Sequence, residues 1–254
     1  MIFTSSSTSV RVLPARPVVE QKIMDLPTSS NNKINGGFLK QEIPVYKLTY
    51  FVSRGYAEVS RLILHYKKVP FDDIRINTDE YSYYKNTLKP YGPLPILEFQ
   101  GEKLSEAMAI ARFLGRRHGL AGANEWEEAK VDSLVDLRMK LGQAIQTYIA
   151  LSIHAPPSVD LSAFIEQNFQ ESFMVGVEKF SPLFEEALKN SKNGWFIPSG
   201  ITYADFAVAE LTDTVDNFYS IYKKRFPLLA EHSIKVHQLP EIQEYLRSRP
   251  YSKY

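Results

Sequence analysis

The stretch GPLPILEFQGEKLSEAMAIARFL, Gly92 to Leu114, decides how this chain is read. Its first half is a short apolar run, Ile96, Leu97 and Phe99, broken at Gln100-Gly101 and followed by a second brief extended piece. Pro95 opens the first strand, where its missing N–H costs no central ladder bond. An X-Pro bond at such a place can take the cis form, which only proline makes accessible. After Ser105 the spacing becomes helical: Ala107, Ile110, Ala111 and Leu114 share one stripe, with Arg112, Arg116 and Arg117 towards water. A β-hairpin leading straight into a helix gathers a loop, a strand start and a helix N-terminus. Free N–H groups and the helix dipole attract carboxylates there. That geometry suits a small, anionic, peptide-like ligand.

Upstream, Tyr46, Leu48 and Tyr50 alternate with Lys47 and Thr49, the pattern of a strand. Ser53-Arg54-Gly55 is a turn, and Ala57 to Lys68 then places Val59, Leu62, Ile63 and Tyr66 on one helical stripe that Val69-Pro70 stops. Phe71 to Ile76 reads as a second strand, Asp79 to Leu88 as a short polar helix, and Lys89 to Pro93 as the loop back to the hairpin. The order β-α-β-α-β-β-α predicts parallel pairing with right-handed crossovers and an antiparallel edge from the hairpin.

Gly119 to Gly122 marks a boundary, giving a domain at 44–121 and an all-helical domain at 122–254. Asn124 and Glu127 form a capping box opening a long helix to about Ser152. Pro156-Pro157 interrupts, and a second long helix runs from about Leu161 to Lys189, ended by Asn193-Gly194. Thr202 and Asp205 form a further capping arrangement, with Ile201 as a staple, ahead of the apolar run Phe206 to Leu211; a last helix spans Pro240 to Leu246. Residues 1–43, with their Ser, Asn and Gly clusters, read as a disordered extension. Pro14 and Pro17 break the amphipathic helix that a mitochondrial transit peptide needs.

At 254 residues and 44% hydrophobic content the chain can bury a sizeable core. A formal net charge of +1 gives no electrostatic reason to expect nucleic acid or an anionic membrane as partner. The absence of Cys removes disulfides, thiolate metal sites and a protein-borne nucleophilic thiol. The five histidines, His65, His118, His154, His232 and His237, show no metal spacing. No apolar run approaches the ~20 residues of a membrane span.

The pieces YKLTYF (46–51), RGYAEVSRL (54–62), LPILEF (94–99), MAIARFL (108–114), GLAG (119–122), ITYADF (201–206) and RPYSKY (249–254), in this order, resemble a glutathione transferase, closest to the sigma class. The resemblance covers about residues 45–254 and implies a thioredoxin-like α/β domain followed by an all-α domain. It implies a cytoplasmic homodimer that uses glutathione as co-substrate, without a metal, to conjugate small hydrophobic electrophiles in detoxification. Isomerase or peroxidase chemistry would use the same thiol. The alternative is a weak or inactive member with a binding or structural, crystallin-like role.

The nucleophile of such an enzyme is the glutathione thiolate. A free thiol has a pKa of about 8.5, and a hydroxyl donating to sulfur favours the ionised form. Tyr50, on a strand end beside a turn, matches the family's catalytic tyrosine. Leu94, before Pro95, matches the position whose backbone pairs with the cysteinyl unit. Tyr81 and Lys85, four apart and on one helix face, match a Trp-x-x-x-Lys pair that holds the glycine carboxylate, if one residue is inserted between Asn86 and Pro90. Glu106-Ala107 stands where the family has Gln-Ser, so Glu106 can still meet the amine while the Ser hydroxyl for the γ-glutamyl carboxylate is gone. Pro93 replaces a Gln or Lys, and Tyr56 replaces an Arg found near the sulfur in some members. Either Asp136 or Lys140 would approach the partner subunit's site. The electrophile pocket is expected from Val52, Ser53, Tyr148 and Ser152.

Overall fold

The computed structural model describes residues 45–81, 84–85, 92–154 and 161–254, which fall within one compact unit. The expectations for residues 1–43, for the insertion near 86–90 and for Pro156-Pro157 lie outside the described residues. In order come β1 (Tyr46–Phe51), a 3-10 turn (Gly55–Ala57), α1 (Glu58–Tyr66), β2 (Phe71–Ile76), β3 (Ile96–Phe99), β4 (Glu102–Ser105) and α2 (Ala107–Arg117). Among the described residues the strands form one four-stranded sheet in the order β2-β1-β3-β4. β1 pairs parallel with β2 and antiparallel with β3, and β3-β4 is the antiparallel hairpin.

The alternation in β1 sends Tyr46, Leu48 and Tyr50 into the core, at 2%, 0% and 6% exposure, while Lys47 stays out and pairs with Glu98 across the β1–β3 ladder at 3.1 Å. Val59, Leu62 and Ile63 of α1 and Ile110, Ala111 and Leu114 of α2 are buried, and the two helices pack together. Arg112 departs from the expected solvent face. It turns towards the next helix and donates to Asp132 at 2.9 Å. The gain is a charge-assisted hydrogen bond.

The helical half begins with α3 (Glu125–His154), whose 30 residues span roughly 45 Å at the helical rise. Asn124 Oδ1 accepts from Glu127 N–H at 3.0 Å, while Glu127 reaches back to Ala123 N–H at 2.8 Å, one residue short of a full capping box. The single helix expected over 161–189 is interrupted: α4 (Ser162–Asn168), a π-helical segment (Phe169–Met174), then α5 (Val175–Ser191). The π segment carries Phe169 and Phe173, stacked at 5.2 Å and each 5.0 Å from Tyr148 of α3. Just beyond it, a Cβ on Gly176 would stand 2.4 Å from Ala144 Cβ, so the two helices cross at close range.

Next come α6 (Tyr203–Phe218), α7 (Tyr222–Arg225), α8 (Pro227–His237), a 3-10 turn (Pro240–Ile242) and α9 (Gln243–Ser248). α6 is buried continuously from Tyr203 to Thr212 and is the axle of this half. Thr202 and Asp205 form its capping box, with Thr202 N–H donating to Asp205 at 2.7 Å. The other Asp205 oxygen accepts from Phe196 N–H at 3.1 Å and lies 2.9 Å from His232 Nε2. The cluster is buried, and of its side-chain polar atoms only His232 Nδ1 has no partner among the described residues. No helix among the described residues is long and apolar enough to cross a membrane, and none of their His, Asp and Glu side chains cluster as a metal site would require.

Candidate active site

Tyr50 lies near the end of the central strand β1, with its ring buried at 6% exposure. The turn after β1 is tied down from below by Arg61 of α1, which is wholly buried. Arg61 donates to the carbonyls of Phe51 at 3.1 Å and Ser53 at 2.9 Å, and to Asp73 at 3.1 Å. The turn then passes so near the Tyr50 ring that a Cβ on Gly55 would stand 2.5 Å from the hydroxyl; Gly55 has φ +43°. The next N–H, that of Tyr56, donates to the Tyr50 hydroxyl at 3.1 Å. Tyr50 is thus an acceptor within the fold and keeps its own proton to donate elsewhere. Burial pushes its pKa up, the Tyr56 N–H only partly offsets this, and the hydroxyl stays protonated at neutral pH.

Strand register brings the other sequence-selected residues to the same end of the sheet. Thr49 pairs with Ile96, and Ile96 with Ser105, so Pro95 and Glu106 each follow on beside Tyr50. The Leu94–Pro95 bond is cis. Pro95 is buried, Leu94 half-buried and Pro93 exposed. Glu106 precedes α2 with φ 71° and ψ 108°, a conformation that costs a non-glycine residue of order 1–3 kcal/mol and is found disproportionately at functional sites. Its side chain is exposed, whereas Ala107 is 8% exposed. The Tyr81 ring lies 5.2 Å from that of Phe51, at the end of β1, and Lys85 is exposed one turn further on.

Next to Tyr50 opens a cavity of about 200 Å³. One wall is the turn Arg54-Gly55-Tyr56; the other is the α3 stripe Gly142, Ile145, Ile149 and Ile153, with Leu211 of α6 between. The expected pocket residues are elsewhere. Val52 and Ser53 do not line this cavity, and their backbone carbonyls accept from Arg75 at 3.2 Å and Arg61 at 2.9 Å. Tyr148 packs among Phe169, Phe173 and Phe218, and Ser152 donates to the Tyr148 carbonyl at 2.8 Å. Each helical residue advances about 100°, so Tyr148 and Ser152 lie one stripe away from Ile149 and Ile153. Neither of them lines this cavity.

The N-terminal domain model of glutathione S-transferases matches residues 46–116, and the C-terminal domain model matches 163–249. A probable glutathione S-transferase 5 of Caenorhabditis elegans is 34% identical over 206 residues, covering 81% of this chain and 97% of that protein. The chain belongs to the glutathione S-transferase family. Solved structures agree: a monomeric glutathione S-transferase from the hookworm Necator americanus superposes with TM-score 0.74 at 33% identity, covering 82% of this chain and 99% of that one. A Nu-class enzyme from Haemonchus contortus gives 0.72 at 33%, covering 82% and 98%. This transferase has the thioredoxin-like plus all-α fold of its family.

Most residues lining the transferase's cavity lie beyond the reach of the sequence pattern, and Gly55, Arg138 and Tyr254 are the ones that bear on its chemistry. Gly55 shows in the sequence only as a turn. Arg138 sits on α3 among buried positions of the helical stripe, between Val135 and Leu141, and lines the cavity at 7% exposure. A charge at a core position is a signal that periodicity can show. Tyr254 also lines the cavity, because Gly55 N–H donates to its carbonyl at 3.3 Å and Arg54 donates to the carbonyls of Ser252 and Lys253 at 3.2 and 3.4 Å. No local pattern announces a contact between residues nearly 200 positions apart.

Proposed function

We propose that the transferase binds glutathione at the sheet end beside Tyr50 and adds its thiolate to small hydrophobic electrophiles held in the adjoining cavity. The observation that carries this is the Tyr50 hydroxyl, fixed by the Tyr56 N–H at 3.1 Å and left with a proton to donate where a sulfur would lie. Hydrogen bonds to a charged form favour it, so the thiol ionises below its free value. In this reading Leu94 pairs with the cysteinyl backbone, Tyr81 and Lys85 hold the glycine carboxylate, and Glu106 meets the amine. The α2 N–H groups meet the γ-glutamyl carboxylate that Ala107 cannot. Isomerisation or peroxide reduction would employ the same thiolate.

The finer assignments belong to the same proposal: a sigma-class, cytoplasmic, detoxifying homodimer, a glutathione-binding half at 44–121 and a helical half at 122–254. Either Asp136 or Lys140, both exposed on α3, is the residue offered to a partner subunit. A second reading, a weak or inactive member with a structural role, is favoured by Ala107 and Pro93. Replacing Tyr50 by Phe separates the two. The fold should persist while turnover falls at least about tenfold, equivalent to ~1.4 kcal/mol of transition-state stabilisation. Unchanged turnover in an active wild type would remove Tyr50 from the mechanism.

A further inference from the structure

The cavity beside Tyr50 contains a positive charge that forms no salt bridge among the described residues. Arg138 is 7% exposed, its Nε has no hydrogen-bond partner among the described residues, and its Nη1 donates to the sulfur of Met139 at 3.5 Å, a weak acceptor. Burial holds its pKa below the ordinary arginine value, opposed by the nearby Tyr56, Glu210 and Tyr50. Glu210 lines the same cavity but is already committed, to Arg54 at 2.5 Å, His237 at 2.9 Å and Arg249 at 3.2 Å. The other titratable groups along the wall are Arg54, which pairs with Glu210, the phenols of Tyr50, Tyr56 and Tyr254, and His154, exposed at the far end of α3. A buried guanidinium without a partner is destabilising. Arg61 of α1 shows the contrast, buried more deeply but held by Phe51, Ser53 and Asp73.

The surroundings of Arg138 direct it to the cavity. One turn along α3 stands Gly142, where an added Cβ would be 3.6 Å from Arg138 Nη1. A helix-interior glycine is unfavourable, and here it leaves the guanidinium without a side chain between it and the open space. Beyond Gly142 the α3 lining is mainly apolar, Ile145, Ile149, Ala150 and Ile153, with Gln146 and the exposed His154 as its polar members. The site therefore calls for a negative charge at its Tyr50 end.

We propose that Arg138 is the counter-ion of the glutathione thiolate, a second group beside the Tyr50 hydroxyl that favours the ionised sulfur. This rests on the reading of the cavity as the place where Tyr50-bound glutathione reacts. Charge attraction in a desolvated pocket acts over several ångströms and needs no direct hydrogen bond.

The test is a pH titration of the thiolate absorbance of glutathione bound to the full chain, run beside calorimetry with S-methylglutathione, whose sulfur cannot ionise. In the wild type the bound thiol should be half-ionised well below the free value of about 8.5. Arg138→Met should raise that midpoint by about one pH unit and leave S-methylglutathione affinity within about twofold. Arg138→Lys should restore most of the shift. Removing an uncompensated buried charge while keeping volume should leave the melting temperature unchanged or higher. An Arg138→Met protein whose bound thiol ionises at the wild-type midpoint overturns the inference, even if activity falls. Loss of S-methylglutathione binding in that variant overturns it too, since Arg138 would then be structural. A wild type that does not bind S-methylglutathione would instead remove the glutathione reading, and this inference with it.

Discussion

The position of one hydroxyl is set by a residue without a side chain. Gly55 adopts φ +43°, and a Cβ there would stand 2.5 Å from the Tyr50 hydroxyl and 2.8 Å from its ring. Gly55→Ala therefore carries two penalties, about 1–2 kcal/mol for a left-handed backbone and a clash that moves either the turn or the ring. Moving the ring misplaces the proton donor, and a displacement near 1 Å can cost about a hundredfold in rate. Gly55→Ala should lower kcat at least about tenfold and the melting temperature by several degrees, measured by steady-state kinetics and thermal unfolding. Full turnover in a destabilised variant would show that the hydroxyl finds its place without Gly55.

Helix against helix, contacts are set by small residues and by which stripe faces which neighbour. Gly115 on α2 lies under the buried ring of Tyr203 at the start of α6, where an added Cβ would stand 2.4 Å from a ring carbon. Tyr203 cannot swing away freely, because its hydroxyl donates to Asp132, which also accepts from Arg112 at 2.9 Å. Gly115→Ala should thus destabilise by about 1–3 kcal/mol in urea unfolding, although alanine is the better helix former by about 1 kcal/mol. A stabilised variant would mean that α2 and α6 can separate. The sheet, the hairpin and the α2 stripe were legible in the sequence because β1 alternates cleanly and α2 has one apolar face. α3 was legible as a helix but not in its facing: Tyr148 packs on Phe169 and Phe173, while its neighbour Ile149 lines the cavity, and both residues read equally apolar. The π-helical segment was hidden because its residues carry the same spacing as an ordinary helix, and α8 begins at Pro227, a helix-start signal that the reading passed over.

Across the whole molecule, the two halves are joined by ion pairs and by the final residues of the chain. Arg249 bridges Glu58 of α1 at 2.6 Å and Glu210 of α6 at 3.2 Å, and Tyr245 donates to Glu58 at 2.8 Å. Arg54 meets the same Glu210 and also the carbonyl of Ser252, which brings Tyr254 to the wall of the cavity. These contacts join residues up to 198 positions apart, so composition and periodicity could not reveal them; the resemblance quoted RPYSKY without placing it. Together they hold the turn after Tyr50 against α6 and the cavity, beside which glutathione binding is the central claim. Titration calorimetry of glutathione into the full chain and into Ala107→Ser tests it most directly. The expected result is saturable binding by the wild type, tightened roughly tenfold in Ala107→Ser, the ~1.4 kcal/mol of a restored charge-assisted hydrogen bond. Absence of binding heat from both proteins would contradict it.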